Sequence, residues 1–287
     1  MIAPFMPQSV IPVRAILGEG PIWDAATQRL WWIDIDGCMV HRHDPISGRN
    51  ESWRMTSEPG TIVPRRNGGA VVALNEGLVA LDEQGNVTPL GVGHEHGDGF
   101  RFNDGKCDAN GRLWVGTLSY PGVSRAHLYC WDGRTRRRVL EHVGCSNGIG
   151  WSPDGRTLYY IDTITRRLDA FAFDIVTGNI SNRRTALEFP EPIGSPDGLA
   201  VDVEGMVWVG MWGTSRVQRC DPIRGVFLEY IPLPVTQVTA CVFGGPDLRD
   251  LYITTAARDT DPTQQPLAGH VFHCRPGVAG LPTHASL

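Results

Sequence analysis

The sequence predicts an all-β chain folded as a six-bladed β-propeller, and three observations carry the prediction. One pattern recurs along the 287 residues: a short strand, a turn rich in Asp and Gly, then an apolar strand bearing aromatics. Each copy is followed by a further strand with the alternation of half-buried antiparallel structure. The 9 Trp, 34 Gly and 21 Pro describe a turn-rich chain with ample core-forming material. One propeller domain accounts for residues 1–287, because each blade packs only on its neighbours and such folds run to this length.

The copies can be followed in order. They are residues 20–34 (GPIWDAATQRLWWID), 105–117 (GKCDANGRLWVGT), 148–162 (GIGWSPDGRTLYYID) and 198–210 (GLAVDVEGMVWVG), with a weaker copy at 240–254 (ACVFGGPDLRDLYIT). The residues just before the inner strands, Glu19, Asn103, Asn147 and Asp197, lie 84, 44 and 50 positions apart. The first interval spans two blades, the skipped one starting near residues 60–62 with short strands at 69–74 and 77–81. The copy at Val238-Thr239 supplies the sixth. Residues 9–17 are expected to pair as an outer strand that closes the last blade beside 270–274, so that no sheet edge stays open.

Composition excludes several classes of function. A formal charge of −5 with no long run of one sign argues against nucleic acid as a partner. The short basic run 134–138 reads as a solvated hairpin tip. Residues 1–10 lack a basic start followed by a long apolar stretch, and no window approaches 18 uninterrupted apolar residues, so the expectation is a cytoplasmic chain without a membrane partner. Seven Cys without any CxxC spacing argue against a disulfide framework or a thiolate zinc site. Cys107, Cys130 and Cys241 fall inside apolar strand patterns and read as small buried thiols. The segment His94-Glu-His-Gly-Asp-Gly99 reads as a solvated Gly-rich loop rather than a second metal site, for want of a third convergent ligand.

In a propeller the inner strands line the axis, so residues at their start converge on one mouth of the central channel. Those positions read Glu19-Gly20, Asn103-Asp104-Gly105, Asn147-Gly148 and Asp197-Gly198. Carboxylates and amide oxygens without His or Cys suit hard cations such as Ca²⁺ or Mg²⁺, and Mn²⁺ or Fe²⁺ as well. Asp24, Asp108, residues 152–155, Asp202 and residues 244–247 follow their inner strands and belong at the opposite end, in hairpin turns. Asp154 is thus expected in a turn and Asp197 in the ring, although both stand in Ser-Pro-Asp-Gly.

The motifs LGEGPIW (17–23), RFNDGK (101–106), SNG (146–148) and PDGLA (196–200), with VFGG (242–245) and LYITT (251–255), resemble the SMP-30/gluconolactonase/LRE family over nearly the whole chain. That resemblance implies a six-bladed propeller, one divalent metal ion (Ca, Mg, Mn, Zn or Fe(II)) and lactonase activity. It also implies the metal-ligand role for Glu19, Asn147 and Asp197, and a substrate-facing role for Arg101 and Asn103. The chain departs from the family pattern over residues 118–125, where some members carry an acidic substrate-binding segment.

The chemistry then expected is hydrolysis of a sugar-acid lactone, with a cation polarising the carbonyl and Asp197 acting as general base for the attacking water. Substrates within reach of this reading are glucono-, galactono-, xylono- and arabinolactone, or an anionic derivative met by Arg65, Arg66 or Arg101, although Arg65 and Arg66 read better as surface residues before the turn at 67–69. No Cys sits in an evident Cys/His arrangement, which gives covalent catalysis through a thiol no support. The competing readings are a non-catalytic metal-binding or scaffold propeller, and a metal-dependent esterase or organophosphatase.

Overall fold

The structure, a computed structural model, describes residues 6–95, 97, 99–119 and 125–287. Of the segments singled out above, His96, Asp98 and residues 120–124 lie outside these. Among the described residues the strands form six four-stranded antiparallel sheets in sequence order around an axis, the six-bladed propeller that the repeats predict. The inner strands are Gly18–Asp24, Pro59–Pro64, Phe100–Cys107, Ser146–Trp151, Ser195–Val201 and Val238–Gly244. Blade 6 takes its outer strand from the start of the chain, where Gln8–Ile11 pairs antiparallel with Val271–Cys274. This strand is shorter than the 9–17 segment read from the sequence; Leu17 instead leads into the first inner strand from a bend, with its N–H held by Asp34.

The burial pattern follows from blades packing face to face. Second strands such as Arg29–Asp34, Thr157–Asp162 and Val207–Trp212 are covered on both faces by neighbouring blades and read as continuous apolar runs. Outer strands such as Val87–Val92 and Asn179–Glu188 face water and are largely exposed, the second of them rich in polar side chains. The core accordingly divides into six apolar clusters, each filling the space between two adjacent blades. Trp114 and Trp208, both fully buried, seat their indole N–H groups on Asp108 (3.0 Å) and Asp202 (2.9 Å) at the hairpin ends. Burial of a side chain of about 200 Å² at about 25 cal/mol per Å² contributes about 5 kcal/mol before entropy is charged against it. The bonded carboxylates keep that burial from stranding a polar N–H.

Candidate functional site

At one mouth of the channel every inner strand is irregular at the same place. The antiparallel register shifts between Glu19 and Ile22, Pro59 and Thr61, Phe102 and Gly105, Ser146 and Ile149, Pro196 and Leu199, and Val238 and Cys241. A bulge leaves a residue outside the ladder and re-aims its side chain. Glu19 stands at the edge of its bulge; Asn103, Asp104, Asn147, Asp197 and Thr239 lie within theirs. The neighbouring glycines serve close approach between blades: a Cβ on Gly148 would stand 2.7 Å from the Asp197 carbonyl oxygen. Gly20 alone among the four ring glycines has a left-handed backbone, at φ +54°.

The sequence-predicted residues are brought together here. Glu19, Asn147 and Asp197 are buried, and the carboxyls of Glu19 and Asp197 stand close enough that each shifts the proton affinity of the other. The Asn147 Nδ2 donates to Thr163 Oγ1 at 2.9 Å, and that hydroxyl donates to the Pro196 carbonyl at 2.8 Å beside Asp197. Arg101 and Asn103 are also buried. An Arg101 Nη donates to Asn103 Oδ1 at 2.5 Å and to the Phe102 carbonyl at 2.9 Å, while Asn103 Nδ2 donates to the Ser146 carbonyl at 2.7 Å, next to Asn147. Arg65 and Arg66 follow the far end of the second inner strand, where Arg66 bonds the Asn110 carbonyl at 3.1 Å. They are therefore remote from the ring, and only Arg101 of the three brings a cation to it.

Electrostatics at the ring are dominated by burial. Burial pushes the Glu19 carboxyl up to about 8, and the Asp104 charge adds to the rise, against the opposing pull of the Gly20 N–H, Arg101 and Asp197. Asp197 is raised well above the carboxylate range by burial first and then by the charges of Glu19 and Asp104. Asp104 is raised by burial against the pull of Lys106 and the Gly105 N–H. Asp104 is thus a third carboxyl of the ring, absent from the site residues named above. Its signal was the Asp104-Gly105 pair, in step with Glu19-Gly20, Asn147-Gly148 and Asp197-Gly198.

Two further aspartates position the ring. Asp34 Oδ2 accepts the Ile16 N–H at 2.9 Å, and its Oδ1 accepts the N–H groups of Leu17 at 2.9 Å and Gly37 at 3.1 Å. Asp162 repeats the clamp on the preceding segment, Oδ2 taking Gly144 at 3.0 Å and Oδ1 taking Cys145 at 3.0 Å, with Ile164, two residues on, as its third donor at 3.1 Å. In both blades the clamped segment ends two residues before the ring residue, Glu19 or Asn147. Blade 5 has a different clamp: Arg166 donates to Phe189 O at 2.9 Å, Gly194 O at 2.6 Å and Ser195 Oγ at 3.1 Å, fixing the approach to Asp197. The signal for the aspartates was present in the repeat, whose copies end in Ile33-Asp34 and Ile161-Asp162.

The residues fit a divalent cation. Asn147 Oδ1 is buried and has no hydrogen-bond partner, an arrangement that costs about 1–3 kcal/mol unless a ligand satisfies it. It stands in one ring with two carboxyls whose mutual repulsion a cation relieves. Among the described residues no three His, Cys, Asp or Glu side chains cluster to hold a metal, so such a site depends on the amide oxygen.

A propeller with a buried carboxyl and amide ring at one axial mouth is the class that fold and site define. Residues 17–257 match the family described as SMP-30/Gluconolactonase/LRE-like region, and the chain belongs to that family. It is 37% identical to regucalcin of Danio rerio, over 97% of each chain. It is 34% identical to the provisionally named sugar lactone lactonase YvrE of Bacillus subtilis, over 93% of this chain and 94% of that one. Among solved structures it is similar to a calcium-binding protein, regucalcin, of Agrobacterium tumefaciens, with a TM-score of 0.93, 27% identity, and coverage of 100% and 98% of the two chains.

Proposed function

We propose that this member of a lactonase family hydrolyses a sugar-acid lactone at the ring, with Glu19, Asn147 and Asp197 as the residues that would hold a divalent cation. The observation that supports this most directly is the unpartnered Asn147 Oδ1 beside the paired carboxyls Glu19 and Asp197. When bound, a divalent cation supplies Lewis acidity to the lactone carbonyl and to water. Asp197, whose carboxyl burial and the neighbouring Glu19 and Asp104 charges hold well above the ordinary carboxylate range, is the group placed to take the proton of the attacking water. The C–O bond of the ring then breaks, and Asp197 returns the proton to the departing alkoxide, leaving a hydroxy acid. Arg101 brings permanent positive charge to where the oxyanion develops, and Asn103 holds Arg101 in place. Burial of the ring excludes bulk water and strengthens each of these interactions.

Asp197→Asn and Glu19→Gln are each expected to abolish lactone hydrolysis and weaken cation binding while the far-ultraviolet circular dichroism stays that of the parent. A pH-stat panel of glucono-, galactono-, xylono- and arabinolactone identifies the substrate. Full hydrolysis rates after exhaustive EDTA treatment would overturn the reading.

A further inference from the structure

Lys106 is the single lysine of the chain; the other 25 of the 26 Lys and Arg residues are arginines. It lies on the third inner strand, past the ring, and lines a cavity of about 350 Å³ at the opposite mouth of the channel. Its lining is mostly apolar, with Ile22, Trp151, Ala200, Val242 and Phe243, while Ser152, Asp154 and His284 bring polar groups to it. Residues 281–284 line the same cavity, and the Leu281 N–H is tied to the Val201 carbonyl at 3.1 Å. The Nζ donates to the Leu199 carbonyl, and among the described residues no carboxylate stands within ion-pair distance of it. Burial lowers its proton affinity, against the opposing pull of Asp104, Cys241 and Glu19. Burial favours the uncharged form of an amine far more readily than that of a guanidinium, which is a physical reason for one lysine in a chain that otherwise uses arginine.

We propose that Lys106 is the nucleophile of a second site, at the mouth opposite the ring, that captures small apolar aldehydes as an imine. The neutral amine donates its lone pair to the aldehyde carbon, the carbonyl oxygen takes up protons and leaves as water, and a C=N bond joins ligand to Nζ without any change of oxidation state. The apolar walls take the alkyl chain, and the Leu199 carbonyl orients the amine.

The single lysine makes the test direct. The full-length, cation-loaded protein is incubated at pH 7 with hexanal and sodium cyanoborohydride, which reduces the imine to a stable secondary amine, and the modified position is read by peptide mass spectrometry. The expected result is alkylation of Lys106 at least about tenfold faster than Nα-acetyl-lysine in the same tube, since each unit of lowered proton affinity raises the amine fraction about tenfold. The rate should saturate with hexanal, and glyceraldehyde, which lacks the alkyl chain, should label far more slowly. Three results would overturn the proposal: Lys106 unlabelled while guanidinium-unfolded protein is labelled, labelling no faster than the free analogue, or hexanoate bound in the cavity with hexanal inert. The parent chain is used throughout, so no variant has to fold.

Discussion

Removing the Asp162 carboxylate should weaken cation binding through a residue that does not touch the cation. In Asp162→Ala the N–H groups of Gly144, Cys145 and Ile164, now 3.0, 3.0 and 3.1 Å from carboxylate oxygens, lose their acceptor. A hydrogen bond to a charged group contributes about 1.5–3 kcal/mol. Gly144 is buried, Cys145 half-buried and Ile164 exposed, so water replaces part of the loss, and about 3 kcal/mol of stability should go. The segment 144–145 feeds Asn147, and loss of an outer-shell partner costs about 10–100-fold in metal affinity. Titration calorimetry with Mn²⁺ and Ca²⁺ well below both unfolding midpoints reads that loss, and Asp162→Asn should recover part of it. The control is Asp108→Ala. Asp108 is fully buried at the far end and bonds the Asn110 and Arg112 N–H groups, the Arg112 side chain and Trp114. This variant should lose at least as much stability and keep its cation affinity within about twofold. Equal affinity losses in the two variants, or none in Asp162→Ala, would refute positioning by the clamp.

Two other outcomes follow from the ring. Glu19 binds its proton more tightly in the folded chain, with its carboxyl raised from 4.5 to about 8, so its contribution to the stability of the cation-free protein is complete below 4.5 and fades as the pH rises through 8. Cation binding displaces that proton, so apparent affinity should fall about tenfold for each pH unit below about 8; an affinity that stays flat from pH 6 to 8 contradicts this. Gly148→Ala puts a methyl group 2.7 Å from the Asp197 carbonyl oxygen, a backbone atom, and should cost about 1–3 kcal/mol together with cation affinity. Gly150→Ala meets side-chain atoms of Leu199 and Val201, which rotate, and thermal melts should show the smaller loss for it.

The propeller was legible because its blades repeat: aromatic second strands and Asp/Gly turns recur wherever a sheet is covered on both faces. The convergence of Glu19, Asn147 and Asp197 was legible for the same reason, since equivalent positions in a ring of blades meet at the axis. The bulges were not. A register shift between Ser146 and Ile149 or between Pro196 and Leu199 leaves no mark in composition, because the extra residue looks like any other member of a strand. The glycines after the ring residues read as flexible turn formers, yet Gly148 is needed for lack of a Cβ rather than for its dihedral angles. Asp34 and Asp162 closed two of the repeat copies, but their partners are backbone N–H groups 17 and 18 residues earlier, a pairing that only the folded blade creates.

The two ends of the channel use the same residue type for opposite purposes, and the number of donors each carboxylate receives tells them apart. Asp202 accepts the N–H groups of Glu204 and Met206, the Trp208 indole and the Arg219 side chain. Its oxygens are occupied, and it fixes a hairpin. Asp154, in its turn, accepts the Ser152 hydroxyl and the Arg156 N–H. Glu19 accepts one backbone N–H, from Gly20 at 2.9 Å, and otherwise faces another carboxyl. A buried carboxylate saturated by donors has little to gain from a cation, whereas one set against a second carboxylate and an unpartnered amide oxygen has much to gain. Turn statistics assign Asp154 and Asp197 alike to Asp-Gly corners, and Asp202 to a hairpin turn. Donor occupancy separates Asp197 from Asp202, and burial separates it from the exposed Asp154, which leaves at Asp197 what cation binding needs, buried oxygen lone pairs unused by the fold.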